Sequence, residues 1–395
     1  MDNEEAFDGR YSHLTFRKQW VLSGDILYLL GKCEAMVDAI KRAPLQPEYR
    51  TQLLRVSLIK GAQATTAIEG NTLTEFEINR VADGESLPQS KHYQQQEVRN
   101  ILDAMNRLLA EVAVDGQGSL ITQDLILGFH REVGRELGER FDAIPGRFRT
   151  DSRVVGPYRC PQPEHVPHLI AKFCEWLPRE FGFATNRQTF REAVVQAIVS
   201  HVYLEWMHPF GDGNGRTGRL LEFYILLRAG NPDIASHILS NLYNETRPEY
   251  YRQLNEASKT RDLTAFLEYA VQGYHDGLKA VMVAIADKTV ELAWRHLVYA
   301  RFADRPHVKT SVHKRRRDLA LAISPKPGGF TVGELMLLTP DLAREYAALT
   351  EQTLMRDLKE LAAMEIIVPE GKKYCLNFGL LLPQMASHRR PNAAA

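Results

Sequence analysis

The sequence predicts a mainly α-helical protein: a helical core with one small β-hairpin, followed by a compact helix, helix and hairpin module. Three observations carry this. Apolar residues recur at helical spacing in successive runs from Leu22 to about residue 303. No strand alternation appears before residue 140. Short β-leaning runs gather at only two places, 145–157 and 366–376, each around a turn. A length of 395 residues suggests two or three domains. The expected divisions are a helical region 1–115, a core 116–276, a linker helix 277–305, a C-terminal module 306–383 and a disordered tail 384–395.

Taken in order, residues 1–20 are polar and read as loose. From Leu22 to Lys41, Leu27, Tyr28, Leu30, Met36, Val37 and Ile40 mark a helix, which Pro44 and Pro47 end. A second helix is expected over 48–69, with Gly70 suited to the left-handed position after it. Thr74 and Glu77 form a capping box for the next helix. Helical runs follow at 94–113 and 119–138. Pro145–Thr150 and Val154–Pro157 bracket Asp151-Ser152-Arg153 and read as a hairpin, the alternative being an irregular loop. A helix over 164–178 presents Leu169, Ile170, Phe173 and Trp176 on one face. The helix over 189–206 is apolar around much of its circumference and is expected at the centre of the core, with His201 as a structural residue. The run 219–229 is similarly apolar, and a helix over 279–303 follows.

Composition sets bounds. Hydrophobic residues make up 44% and charged residues 25%, ordinary for a soluble globular protein. Lys+Arg and Asp+Glu balance at 49 each, so no global field favours nucleic acid or an anionic membrane, and any polyanion site must be local. Cys33, Cys160, Cys174 and Cys375 show no metal spacing and read as reduced thiols of a cytoplasmic protein. Met1–Asp8 lacks the apolar core of a signal peptide, and no run reaches the roughly 18 apolar residues of a membrane span.

Between the two most apolar helices lies His208-Pro209-Phe210-Gly211-Asp212-Gly213-Asn214-Gly215-Arg216-Thr217-Gly218-Arg219. Its glycines free the backbone to approach a ligand, and successive N–H groups there can form an anion nest at the positive pole of the next helix. Arg216 and Arg219, three residues apart, oppose that helix dipole unless an anion sits with them. Asp212 can hold Mg2+ against phosphate oxygens, and His208 can accept a proton near neutral pH. The local reading is a polyphosphate site with a base at its edge.

This stretch resembles the signature of the Fic family, His-x-Phe-x-(Asp/Glu)-Gly-Asn-Gly-Arg-x-x-Arg, and residues 208–219 match it at every fixed position. A second stretch, Thr65-Thr66-Ala67-Ile68-Glu69-Gly70, resembles the family's inhibitory helix, (Ser/Thr)-x-x-x-Glu-(Gly/Asn). Read alone, Glu69 is a solvent-facing glutamate near a helix end. The resemblance extends over about residues 20–275 and implies the subclass whose inhibitory helix precedes the core, with a homodimer as its assembly.

The resemblance implies protein adenylylation: a Tyr, Ser or Thr hydroxyl of a target protein, or of the enzyme itself, attacks the α-phosphate of ATP and pyrophosphate leaves. His208 is the implied general base and Asp212 the implied Mg2+ ligand. Gly213, Asn214, Gly215, Thr217 and Gly218 line the phosphates, Arg216 and Arg219 bind the β- and γ-phosphates, and Glu69, with Thr65 and Gly70 in its motif, draws Arg219 away. In the family the 145–157 hairpin is a flap that aligns the target segment as an added strand. A tyrosine pair after the motif borders the adenine, Tyr251 before Tyr250; ordinary core aromatics are the alternative. Some family members transfer other phosphate-bearing groups, but this motif departs from none of the AMP-transferring pattern. Removal of AMP from a modified protein is a second role open to Glu69.

Two competing fingerprints fail. Gly213-x-Gly215-x-x-Gly218 fits GxGxxG, but a long helix precedes it where a strand is needed. No P-loop is present. A different class of function attaches to the C-terminal module. Lys314-Arg315-Arg316-Arg317 is basic, 325–329 is a turn, and helices at 332–338 and 350–364 precede the hairpin 366–376. That order resembles a winged helix, in which Thr353, Arg356, Asp357, Leu358 and Leu361 fall on the helix that enters the DNA major groove in DNA-binding members. The module therefore points to DNA or to recruitment of protein targets.

Overall fold

The computed structural model describes residues 11–115, 120–182, 188–303, 310–323, 329–377 and 379. The acidic first residues, most of the 325–329 turn and the expected tail 384–395 lie outside them. The chain divides into two compact units, Met1–Val283 and Ala284–Ala395.

The first unit is helical, as expected. α1 (Gly24–Arg42) starts at Ser23, whose hydroxyl accepts from the Ile26 N–H. α2 (Pro47–Ala67) opens with proline at its first position, where no intrahelical N–H is needed. α3 (Glu75–Ala82) carries the expected Thr74–Glu77 capping box. α4 (His92–Asp115) and α5 (Gln123–Val133) follow. A two-stranded hairpin, β1 (Val154–Val155) and β2 (Tyr158–Arg159), precedes α6 (Val166–Glu180). α7 (Phe190–Met207) and α8 (Asn214–Arg228) are the central pair, buried on nearly every face. α9 (Ile238–Glu245), α10 (Arg247–Thr260) and α11 (Thr264–Ala303) complete the series.

Three expectations need correction. Residues 11–20 are packed: Leu14 and Trp20 are buried, and Trp20 stacks on Phe181 at 5.7 Å. Isolated aromatics give no periodic signal, yet each buries a large area. The hairpin lies later than expected, turning at Gly156-Pro157 with Val154 opposite Arg159. Its expected first strand is instead bound elsewhere, since the Arg149 N–H donates to the Pro209 carbonyl at 3.0 Å. The helix expected over 279–303 is the second half of the 40-residue α11. Gly273 and Gly277 do not break it; a Cβ at either would lie 2.3 or 2.2 Å from Leu242 or Ile238, so they set the close approach of α11 to α9.

In the second unit α12 (Thr310–Ala322), β3 (Phe330–Thr331), α13 (Val332–Met336), α14 (Pro340–Ala347), α15 (Glu351–Ala363), β4 (Ile367–Glu370) and β5 (Lys373–Leu376) share a core with the last turns of α11. The antiparallel sheet runs β3-β5-β4. The basic cluster on α12 is largely consumed within the unit. Arg315 and Arg316 pair with the buried Asp357 at 2.8 and 2.7 Å, while Lys314 and Arg317 pair with Asp318 at 2.8 and 3.6 Å.

Candidate active site

α7 ends at His208, whose backbone takes the left-handed conformation, φ 45° and ψ 60°. A non-glycine residue there costs energy, and such strain concentrates at functional sites. Three contacts hold the turn. The Arg149 Nε donates to the His208 carbonyl at 2.7 Å. Phe210 is buried and stacks on His130 with centroids 3.7 Å apart. Asn214 accepts from the Phe210 N–H and donates to the Phe210 carbonyl, both at 2.9 Å. The Asn214 side chain is thus a clasp that closes the loop. At Gly211 a Cβ would lie 2.3 Å from the Asp142 carbonyl oxygen, so only glycine lets the loop pass.

Gly213, with φ 78°, starts α8, and the first helical bond runs from the Thr217 N–H to the Gly213 carbonyl. The N–H groups of Asn214, Gly215 and Arg216 therefore form the open positive pole of the helix. Arg219 is fully buried. Its Nε donates to the Thr65 hydroxyl at 2.7 Å, and its Nη2 to the Thr65 carbonyl at 2.9 Å and to Glu69 Oε1 at 2.6 Å. The same Glu69 oxygen crowds Gly215, where a Cβ would approach it to 2.3 Å. A carboxylate thus occupies the helix pole beside an arginine. Gly70, with φ 95°, and Arg247, which donates to the Ala67 and Ile68 carbonyls, finish the segment that delivers it.

Arg216 is also buried. Its guanidinium bridges Glu97 and Asp212, the latter at 2.7 Å, and lies 5.5 Å from the Phe141 ring centre. Asp212 uses Oδ1 for Arg216 and for the Gly213 N–H. Among the described residues no group of three His, Cys, Asp or Glu side chains is placed to hold a metal. Mg2+ needs no such cage; it takes one or two carboxylates and completes its shell with water and phosphate. Asp212, partly exposed and with Oδ2 spare, fits that demand.

Burial lowers the His208 imidazole to about 4, and the Arg149 charge adds to the shift. His208 is therefore neutral at pH 7, the form that accepts a proton. Its Nδ1 is buried. The helix positions beside it bring in Glu205, which the sequence did not single out, and His201, which it read as structural. Glu205, one turn earlier on α7, is raised to about 7 by burial, with Arg219 opposing and Glu69 adding to the shift. His201 is buried, lowered to about 3, and bonded to the Tyr250 hydroxyl at 2.8 Å, which makes it structural. Of the tyrosine pair, Tyr250 is thereby committed to the core, whereas Tyr251 is 45% exposed with Arg247 over its ring. Thr217 and Gly218 lie inside α8; a Cβ on Gly218 would meet His201 Nδ1 at 2.9 Å.

Arg149 and Glu97 were not legible beforehand. Each is one charged residue in an ordinary run, and the arginine that Glu97 pairs with lies more than a hundred positions along the chain.

Residues 120–226 match the family model described as Fic/DOC family. A protein adenylyltransferase fic-1 of Caenorhabditis briggsae is 33% identical over 265 residues, 63% of this chain and 49% of that protein. The fic-1 adenylyltransferase of Caenorhabditis elegans is 32% identical over 209 residues, 53% of this chain and 38% of that protein. This chain thus spans about half or less of the length of these relatives. Among solved structures, a Fic family protein from Desulfovibrio desulfuricans G20 superposes with a TM-score of 0.54 at 22% identity, covering 91% of this chain and 98% of that one. The Fic-1 fragment of C. elegans superposes with a TM-score of 0.51 at 28% identity, over 67% and 74% of the two chains. No helix among the described residues is long and apolar enough to cross a membrane.

Proposed function

We propose, from the match of residues 120–226 to the Fic/DOC family model, that this chain transfers AMP from ATP to a Tyr, Ser or Thr hydroxyl of a protein and that Glu69 restrains the transfer. The observation that carries the reading is the Glu69 carboxylate at the pole of α8, between Gly215 and Arg219. A site that stabilises an internal carboxylate through a helix dipole and a buried guanidinium has the chemistry to bind a phosphate.

In the reaction, His208 Nε2 takes the proton of the target hydroxyl as its oxygen bonds to the α-phosphorus. The bond from that phosphorus to the bridging oxygen breaks, and pyrophosphate departs with the electron pair. The open N–H groups at the start of α8 hold the developing charge, because they are fixed before the reaction begins. Asp212 would hold Mg2+, which supplies neutralisation of the phosphate oxygens. Tyr251 offers an exposed ring for the adenine. β1 and β2, with Val154 and Val155 outward, offer main-chain groups to an extended target segment. When Glu69 sits on Arg219, the γ-phosphate loses that cation and meets a like charge.

The test follows AMP by intact mass after incubation with ATP and Mg2+. Glu69→Gly should raise incorporation at least tenfold with the fold intact, whereas His208→Ala in that background should lower the rate by about 10²–10⁴, the range for a general base. Equal or lower incorporation in Glu69→Gly removes the restraint; incorporation that survives His208→Ala removes the mechanism.

A further inference from the structure

The two arginines of the loop are held by different kinds of carboxylate. Glu69 stands at a helix end with its side chain 30% exposed, a partner that can leave. Glu97 lies inside α4 with its side chain 8% exposed, next to the fully buried Val98. Arg216 spends one N–H of Nη1 on Glu97 and one of Nη2 on Asp212, so the direction of its guanidinium is set by those two carboxylates.

The geometry points to Glu97 as a positioning residue: it holds Arg216, and through Arg216 it fixes the Asp212 carboxylate with one oxygen free. This rests on the adenylyltransferase reading and adds to it a residue outside the recognised motif. The chain of contacts has one more link. Asn71 donates its side-chain amide to Glu97 Oε2 at 3.1 Å and to the Gln94 carbonyl at 2.9 Å. Its backbone N–H returns to the Thr66 carbonyl at 3.1 Å. Asn71 follows Glu69 by two residues, so the segment that covers Arg219 also braces the partner of Arg216.

The physical consequence is specific. With Glu97 charged, the single positive charge of Arg216 is shared between two carboxylates, and Asp212 keeps negative charge for a cation. With Glu97 neutral, Arg216 turns wholly to Asp212 and competes with the cation there. Groups that orient a metal ligand in this way typically control metal affinity by 10–100-fold.

The experiment measures binding of a non-hydrolysable ATP analogue by calorimetry across a Mg2+ titration, comparing Glu69→Gly with Glu69→Gly/Glu97→Gln, alongside thermal melting. Glu97→Gln should raise the Mg2+ needed for half-maximal binding by about tenfold, while affinity at saturating Mg2+ stays within about twofold. An unchanged Mg2+ requirement overturns the proposal. So does a uniform loss of affinity at every Mg2+ concentration, because that marks a merely structural glutamate. Asn71→Ala keeps every charge and removes the brace together with its bonds to the Gln94 carbonyl and the Leu73 N–H; it should shift the requirement in the same direction by about threefold, and a double variant that melts early is replaced by this one. Absence of AMP transfer and of analogue binding in Glu69→Gly itself overturns the adenylyltransferase reading, and the role of Glu97 falls with it.

Discussion

At the scale of single residues, the pH behaviour of the site follows from burial. His208 is lowered to about 4, so its free-base form persists well below the ordinary imidazole range. The profile of kcat/KM should therefore rise through about pH 4 and be flat from there to neutrality; an acid limb near 6.5 would place His208 in water rather than buried. Stability shows the matching signs. A lowered imidazole contributes stability that is present above its ordinary value and lost as pH falls through about 4. Glu205 acts oppositely: raised to about 7, its contribution is present below the ordinary carboxylate range and lost as pH rises through about 7. Glu205→Gln should accordingly raise the melting temperature by a few degrees at pH 8 and leave it unchanged at pH 4, read by calorimetry. Much at this scale was legible in the sequence. The loop 208–219 stands out because its side chains match a known signature at fixed spacing. Glu97, Arg149 and Glu205 announce nothing, because their roles depend on what folding brings beside them. Asn214 was legible as a loop residue, but not as the clasp on Phe210.

At the scale of elements, helices were read well where apolar periodicity was long and poorly where contacts overrode local pattern. α7 and α8 were evident from continuous apolar runs, although α8 starts at Asn214 rather than at 219, because its first turn is built of small and charged residues. The hairpin was displaced by one strand because Arg149, which alternation would place outward, is drawn in by three carbonyls, those of His208, Asp151 and Pro161. α12 and α14 were missed; both are short and polar, with burial on a single narrow face. The loop between α7 and α8 depends on one glycine in particular. Gly211→Ala places a methyl against the Asp142 backbone, which cannot rotate aside as a side chain would. It should cost about 1–3 kcal/mol of unfolding free energy, as overpacking does, measured by urea denaturation. A loss near zero would mean that the Asp142 segment yields freely.

At the scale of the whole molecule, the question is what the second unit can bind. The sequence presents Lys314–Arg317 as a basic patch, and the overall charge gives it no support. Folding removes most of it. The acid that does so, Asp357, lies on α15, the helix whose sequence resembles a groove-entering helix, yet it is buried and also accepts from the Tyr346 hydroxyl at 3.1 Å. A carboxylate that anchors two guanidinium groups inside a unit leaves few charges to displace counterions. On that helix Arg356 and Lys359 remain exposed. Affinity for duplex DNA should therefore fall with salt along a shallow line, a log–log slope no steeper than about −2, since each neutralised phosphate contributes about −0.9. Gel shifts across a salt series measure it, with Arg356→Ala expected to flatten the slope by about 1. A wild-type slope near −5 would require α12 to give up its ion pairs on binding. In that case Asp357→Asn, which frees the arginines while keeping the side chain's shape, should tighten binding; if it weakens binding instead, the pairs serve the fold alone.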